Sequence, residues 1–329
     1  MIIAGDIGAT KTLLQLVERG GGVARTVFQR RYADDAYAEF AGLLAAFLAD
    51  ARAGGAQAAP LEIAVLGIAA PVRGERVRLT NRAWVIDAQA LSVAFGIERV
   101  VLVNDFAAAA GGIALLAPSE LLTLQEGDPE DQAPRVVLGA GSGLGVAYLV
   151  WASGGYQVLA GEGGHMAFAP ATELQAELWS ALHARDGFVC VERVVSGSGL
   201  VEIYDHLRER RAAPESPQRQ VSGEDRAAAI TALALEGNDL LAGLALDTFI
   251  DAYGAAAGDH ALALLARGGV FVAGGIAPKI IARLQQGRFI ASFRAKGPYA
   301  GLMASIPVRV VMNANLGLLG ARAIALAMR

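Results

Sequence analysis

Cysteine is nearly missing from this chain: Cys190 is the only one in 329 residues. That rules out an internal disulfide and any thiolate zinc cluster, and it suits a reducing cytoplasm. Charge is also sparse, at 18%, and has no basic surplus: 28 Lys and Arg stand against 32 Asp and Glu, a net charge of -4. A nucleic-acid partner is therefore not expected. Met1 leads straight into a strand pattern with no basic segment ahead of it, so no signal peptide is expected either. The longest run free of charge, Val136 to Gly161, could span a bilayer by length. GAGSGLG and SGG interrupt it, so it reads as two strands and turns, and no membrane partner is expected. GxxxxGK[ST], the P-loop signature, is absent.

Glycine and alanine are plentiful. There are 40 glycines, and the mean hydropathy of +0.42 reflects alanine, which fills helices. At this length two domains of ordinary size are expected. Two stretches look alike: IIAGDIGATKTLLQLV (2–17) and VVLGAGSGLGVAYLVW (136–151). Each is a β-rich run, a turn of small residues and a second β-rich run. Small residues let backbone N–H groups approach an anion closely, so the pair suggests an internal duplication with one phosphate-cradling hairpin opening each half. Between them an amphipathic helix (37–52), a buried strand and loop (61–72) and a strand running into a helix (100–117) argue for parallel sheet in part of each domain. Helices are expected at 172–185, 197–210, 223–235 and 239–266. RRAAPESPQRQ (210–220) reads as a surface loop, followed by a capping-box-like start at Ser222–Asp225. VFVAGGIAPKI (270–280) is a strand, a Gly-Gly turn and a helix, and a terminal helix over 313–328 packs back on the first domain.

Several of these segments can carry chemistry. Asp6, Gly8 and Thr10 make an acid-bearing loop: the acid could hold Mg²⁺, which takes one or two carboxylates plus phosphate oxygens, while bare turn chemistry also accounts for Asp and Gly. Gly139, Gly141, Ser142, Gly143 and Gly145 make an uncharged, donor-rich loop suited to the other phosphates. Asp105 follows the strand 100–103. It serves as an N-cap for a helix beginning at Phe106, or as a carboxylate at a strand C-terminus, where ligands bind in α/β folds; the two roles can coexist. Glu162 and His165 in GEGGH form a donor–acceptor pair aimed at vicinal hydroxyls, or an ordinary turn. A metal there is disfavoured, with no second histidine at helical spacing. Glu192 and Asn81 are unremarkable by themselves. Gly274 and Gly275 make a tight strand–helix turn or a flat surface for a purine.

Taken in order, these segments resemble the bacterial glucokinase family of the hexokinase and actin-like ATPase superfamily. GDIGATKTLLQL, APVRGERVRLTNRAW, VNDFAAAA, GAGSGLGVAYL, GEGGHMAFAP, VERVVSGSGLVEIY and FVAGGIAPK carry the likeness through nearly the whole chain. The resemblance implies an α/β chain of two ribonuclease-H-like domains with an interdomain cleft. The expected boundaries are 1–115 with 307–329 for the smaller domain and 116–306 for the larger. It implies ATP-dependent phosphorylation of D-glucose at the 6-hydroxyl, with Mg²⁺, in a cytoplasmic homodimer. Residue by residue, Asp105 is the expected base, and Asn104, Glu162, His165 and Glu192 are expected to bind sugar hydroxyls with Asn81 nearby. Asp6, Thr10, Ser142 and Gly143 are expected at MgATP, with Gly8, Lys11 and Gly141 in the same loops, and Gly274 and Gly275 at the adenosine.

Ala9 stands where a second glycine is commoner, Lys11 where asparagine is frequent, and Ser198 where the SGxGL turn usually has proline. Ser142 replaces threonine and keeps the hydroxyl. Three other readings compete. A kinase for mannose, fructose or an N-acyl hexosamine is one, although the nearest such family carries a cysteine-rich zinc motif after its histidine. A sugar-responsive transcription regulator would need a DNA-binding domain ahead of Ile2. A filament-forming actin relative would need neither the Glu162–His165 pair nor Glu192.

Overall fold

A computed structural model describes the chain apart from Ala9, Gly21, Gly22, Ala58, Thr80, Asn81, 214–220, 222–224 and Arg329. Asn81, most of the expected surface loop and the first three residues of the expected capping box thus lie outside the described residues. The chain divides into two compact units, Met1–Leu116 with Asn315–Arg329, and Ala117–Ala314.

In the first unit β1 (Ile2–Ile7), β2 (Lys11–Gly20) and β3 (Val23–Ala33) form an antiparallel meander. Helix α1 (Phe40–Ala53), strand β4 (Leu61–Ile68), a small β5 (Arg76–Arg78) and β6 (Val85–Asp87) pair, α2 (Ala88–Phe95), β7 (Ile97–Asn104) and α3 (Asp105–Gly112) follow. The sheet order is β3-β2-β1-β4-β7, with β1, β4 and β7 parallel. Alternation along β1 decides which side each residue serves. Ile3 and Ile7 join Phe40, Leu43 and Phe47 on one face, and Ile2 and Ala4 join Leu318, Ala321 and Ala325 on the other.

The second unit contains β8 (Leu121–Gln125), β9 (Arg135–Ala140), β10 (Leu144–Ala152) and β11 (Gly155–Gly161). Its helices α4 (Glu173–Asp186), α5 (Gly197–Glu209), α6 (Arg226–Glu236) and α7 (Leu240–Leu264) precede β12 (Val270–Ala273). Short helices α8 (Ile281–Leu284), α9 (Arg288–Arg294) and α10 (Ala300–Ser305) lead to β13 (Val308–Val311). The sheet order is β11-β10-β9-β12-β13-β8. Here β9, β12 and β13 run parallel, and β8 is antiparallel to β13. Helix α11 (Leu316–Ala327) then rejoins the first unit.

Each sheet contains a three-strand antiparallel meander followed by two parallel strands, to which the second sheet adds the antiparallel β8, so the duplication suggested by the two glycine hairpins extends to the topology. The uncharged run 136–161 holds three strands rather than two. Residues 307–314 fall in the second unit, not with the terminal helix as the sequence reading groups them, because β13 pairs with β12 and β8. Helix α6 starts at Arg226 rather than 223, capped by the Asp225 carboxylate on the Ala228 N–H. Helix α7 is long and apolar enough to cross a membrane, but 72% of its most apolar window is buried within the protein.

Candidate active site

In the first unit the acid-bearing loop is a tight β1–β2 turn closed by Gly8, whose N–H donates to the Lys11 carbonyl at 3.1 Å. Thr10 and Lys11 are exposed at its tip. The turn is also held from the residue that follows β3, since the Asp34 N–H donates to the Thr10 carbonyl at 3.0 Å. Asp34 itself is fully buried, with Arg82 at 3.9 Å, and burial pushes its carboxyl above the usual range. Sequence reasoning missed this support. The acidic pair Asp34-Asp35 directly after a strand was its only signal.

Asp6 lies on the α11 face of β1. A Cβ at Gly317 would stand 2.9 Å from Asp6 Oδ2, so this glycine lets the carboxylate rest on the first turn of α11. The partial positive charge of a helix N-terminus favours an anion there. Burial raises the Asp6 carboxyl pKa, and Arg31 offsets this in part. A half-buried carboxylate with only Arg31 to offset its burial is an oxygen donor of the kind Mg²⁺ takes. Among the described residues no cluster of three or more His, Cys, Asp or Glu side chains could hold a metal ion. That donor set fits Mg²⁺, which completes its shell with water and phosphate oxygens.

Asp105 sits two strands from Asp6 at the same end of the sheet. Asp6 pairs with Gly67 across β1–β4, and a Cβ on Gly67 would lie 3.6 Å from Asp105 Cα. The helix begins at Asp105 itself, and the cap is Asn104, whose Oδ1 accepts from Phe106 N and Ala107 N at 3.0 Å each. The sequence reading that makes Asp105 the cap is thereby corrected: adjacent Asn and Asp are both good caps, and the one at the strand end takes the position. Asp105 Oδ1 also accepts from Phe106 N, at 2.7 Å. Asn104 Nδ2 lies 3.4 Å from the Ala70 carbonyl. Helix α3 can sit this low because α11 packs almost backbone to backbone on it. A Cβ on Gly320 would overlap the Ala108 carbonyl, and one on Gly112 would lie 2.9 Å from the Leu316 carbonyl.

In the second unit the uncharged loop 141–143 joins β9 to β10 and is anchored on every side. The Gly141 N–H closes it on the Gly143 carbonyl at 2.8 Å. The fully buried Tyr253 hydroxyl accepts from Ala140 N at 3.1 Å. The Ile276 N–H donates to the Ala140 carbonyl at 3.2 Å, and the Gly197 N–H to the Gly141 carbonyl at 2.8 Å. Gly274 has a φ of +82, and a Cβ there would lie 2.5 Å from the Ala140 carbonyl, so only glycine suits this turn. Gly141, Ser142, Gly197, Gly275, Ile276 and Ala228 line a cavity of about 940 Å³. The sequence reading of Gly275 as part of a flat glycine surface falls on the wall of that cavity.

The Glu162–His165 turn lies next to this loop. Gly163 and Gly164 are buried while Glu162 and His165 are exposed, and a Cβ on Gly164 would overlap the Leu144 carbonyl. Beneath the turn, Tyr148 Oη lies 3.0 Å from Nδ1 of the buried His260, whose pKa burial lowers. A Cβ on Gly163 would stand 2.7 Å from His260 Cε1, and one on Gly161 3.2 Å from Tyr148 Cε2. No local pattern marked Tyr148 and His260 as a support for this turn. Glu192 is half-buried, and its Oε2 accepts from Leu144 N at 2.7 Å. The segment carrying it continues antiparallel beside the turn, with Val191 N donating to the Met166 carbonyl at 2.9 Å. The structure thus gathers Gly141, Ser142, Gly143, Glu162, His165, Glu192, Gly274 and Gly275 in one unit, and Asp6, Gly8, Thr10, Lys11, Asn104 and Asp105 in the other.

Comparison with known proteins adds the family. The glucokinase family model matches residues 3–328. The chain is 40% identical over 337 residues to a glucokinase of Nostoc sp., covering 98% of this chain and 97% of that one. A solved glucokinase from an Antarctic psychrotroph superposes with a TM-score of 0.83 at 28% identity, covering 99% of both chains. A glucokinase of Balamuthia mandrillaris, solved in complex with glucose, shares the fold with a TM-score of 0.79 at 22% identity, over 99% of this chain and 93% of that one.

Proposed function

The chain belongs to the glucokinase family, and on that premise we propose that it transfers the γ-phosphoryl group of ATP to the 6-hydroxyl of D-glucose. The products are ADP and glucose 6-phosphate. The observation that carries the residue assignments is the complementary pair of strand tips. One sheet ends in two carboxylates, Asp6 and Asp105, and the other in an uncharged loop rich in backbone donors.

In this reading the loop 141–143 and the Ser142 hydroxyl receive phosphate oxygens, with the base and ribose along the 940 Å³ cavity that Gly275 lines and Gly274 forming the turn beside it. Thr10, Lys11 and the Gly8 turn meet phosphate from the first unit. Asp6 holds the Mg²⁺, which when bound neutralises phosphate charge. Asp105 accepts the proton of the 6-hydroxyl as that oxygen attacks. Glu162, His165, Glu192 and Asn104 bind the remaining sugar hydroxyls, and Asn81 belongs to the same set. Phosphoryl transfer demands little covalent work from a protein, so positioning and charge stabilisation account for most of the rate. The enzyme acts in the cytoplasm, as a homodimer.

The test is a panel of hexoses assayed for ATP-dependent phosphorylation, with Asp105→Ala as control. Glucose should be preferred over mannose and fructose, and Asp105→Ala should lose essentially all turnover while still binding nucleotide. General-base help is typically ~10²–10⁴-fold, and positioning adds to it. Equal rates on mannose and glucose would overturn the substrate, and an active Asp105→Ala variant would overturn the mechanism.

A further inference from the structure

Glu192 does something that a hydroxyl ligand need not do. Its Oε2 accepts the Leu144 N–H at 2.7 Å, at the point where the donor loop turns into β10. Gly143 is shaped around the same carboxylate. A Cβ there would overlap Oε2 and lie 3.0 Å from Cδ, although the Gly143 backbone itself does not need the left-handed region. The glycine is therefore kept open for the carboxylate and not for a turn. Leu144 is gripped from its other side as well, because Gly164, in the turn that carries Glu162 and His165, presses against its carbonyl. One residue, Leu144, thus joins the acid-bearing segments to the donor loop through its N–H and its carbonyl.

We propose that Glu192 is a positioning residue for the donor loop: through the Leu144 N–H it holds residues 141–144 in the nucleotide-receiving conformation, so hexose and nucleotide affinities are linked through one carboxylate. The positioning role stands on the geometry alone. The linkage to hexose rests on the reading, above, that Glu192 also meets a sugar hydroxyl. An oxygen already fixed by a backbone donor leaves the carboxylate few rotamers, so a hydroxyl bound by its other oxygen stiffens the loop. By reciprocity, an ordered loop presents the carboxylate to the sugar.

The experiment is titration of the full-length protein with a non-hydrolysable ATP analogue and Mg²⁺, with no sugar present. Glu192→Ala should bind the analogue about tenfold more weakly than wild type, the size expected for losing one hydrogen bond to a charged acceptor. Glu192→Gln should bind it nearly as wild type, because its amide oxygen accepts the same N–H. The mirror measurement is glucose affinity of Gly143→Ala without nucleotide. This variant touches no sugar, yet it should weaken glucose binding several-fold by displacing the carboxylate. Circular dichroism confirms folding, and the Gln variant and the Gly143→Ala arm stand if Glu192→Ala does not fold. Wild-type analogue affinity in Glu192→Ala would overturn the proposal, as would an equally weakened Glu192→Gln. Weakened analogue binding with unchanged glucose affinity in Glu192→Ala would uphold the positioning role and remove Glu192 from the sugar site.

Discussion

Asn104 offers the sharpest way to separate a structural role from a ligand role. Its Oδ1 accepts two backbone N–H groups at 3.0 Å, from Phe106 and Ala107, and so covers two of the unpaired donors at the head of α3. Asn104→Ala removes both bonds; Phe106 N keeps its 2.7 Å bond to Asp105 Oδ1, so Ala107 N is the donor that loses its cap. Losing such a cap costs about 1–2 kcal/mol. The Asn104 Nδ2 contact with the Ala70 carbonyl, at 3.4 Å, is too long to add much. In a chain with units of this size, a destabilisation of that order lowers the melting temperature by about 2–8 °C. The fraying turn is the one that carries Asp105, and a displacement near 1 Å at a reacting group can cost about 10²-fold. We therefore expect kcat to fall at least about tenfold along with stability.

Asn104→Ser supplies the discriminating arm. Serine caps as well as asparagine but has no amide to offer a sugar hydroxyl. It should restore the melting temperature and most of kcat, while KM for glucose stays raised if Asn104 also binds sugar. Thermal unfolding followed by circular dichroism, with coupled-assay kinetics on the same preparations, reads both effects. An Asn104→Ser variant as unstable as Asn104→Ala would refute the capping account. So would an Asn104→Ala variant with wild-type melting.

Two further predictions concern the first unit. Burial raises the Asp6 carboxyl pKa, so the folded state holds its proton to higher pH than the unfolded chain does. That group's contribution is most favourable below the ordinary carboxylate range and is lost as pH rises through the folded value. Asp6→Asn should therefore be more stable than wild type at neutral pH without nucleotide, with the gap closing as pH falls into the acid range, and it should lose activity; urea titrations at several pH values check this, and a variant less stable at neutral pH would contradict it. Gly320→Ala puts a methyl into the Ala108 carbonyl, a backbone atom that cannot swing aside. It should cost about 1–3 kcal/mol, as overpacking does, and reduce kcat by shifting α3; wild-type stability and turnover would disprove the close packing of α3 on α11.

The parts of the site that could be read from the sequence are those in which a loop's chemistry is local. GDIGAT, GAGSG and GEGGH show an acid or a hydroxyl among glycines within a few residues, and each lies on a turn at a strand tip. What could not be read lies in contacts between distant segments. Gly317 makes room for Asp6, Gly320 for Ala108 and Gly143 for Glu192. Nothing in NANLGLLGAR distinguishes a glycine under a carboxylate from one facing solvent. The Asn104 and Asp105 caps were undecidable for another reason: both side chains can accept the same N–H groups, and only the length of β7 settles which one does. β13 was misplaced because a short apolar strand carries no mark of which sheet it will enter.

The topology also explains why the two loops differ in charge. In each sheet the glycine hairpin starts from an inner strand, β1 or β9, and a parallel strand pairs on the far side of that strand. Such tips place backbone N–H groups and strand-end side chains where a ligand can reach them. In the first copy the neighbour beyond the tip is the N-terminus of α11, whose partial positive charge tolerates a half-buried carboxylate at position 6. In the second copy the tip is packed by Glu192 on Leu144 N and by Gly274 against the Ala140 carbonyl. An acid in that loop would face a carboxylate already present, and the repulsion would remove the clamp. One duplicated scaffold can therefore carry an acid-bearing tip and a neutral, donor-rich tip, because the elements packed behind each differ. Ser142→Asp should thus weaken nucleotide binding more than Ser142→Ala does, and equal losses from the two changes would show that Glu192 does not set the charge of the loop.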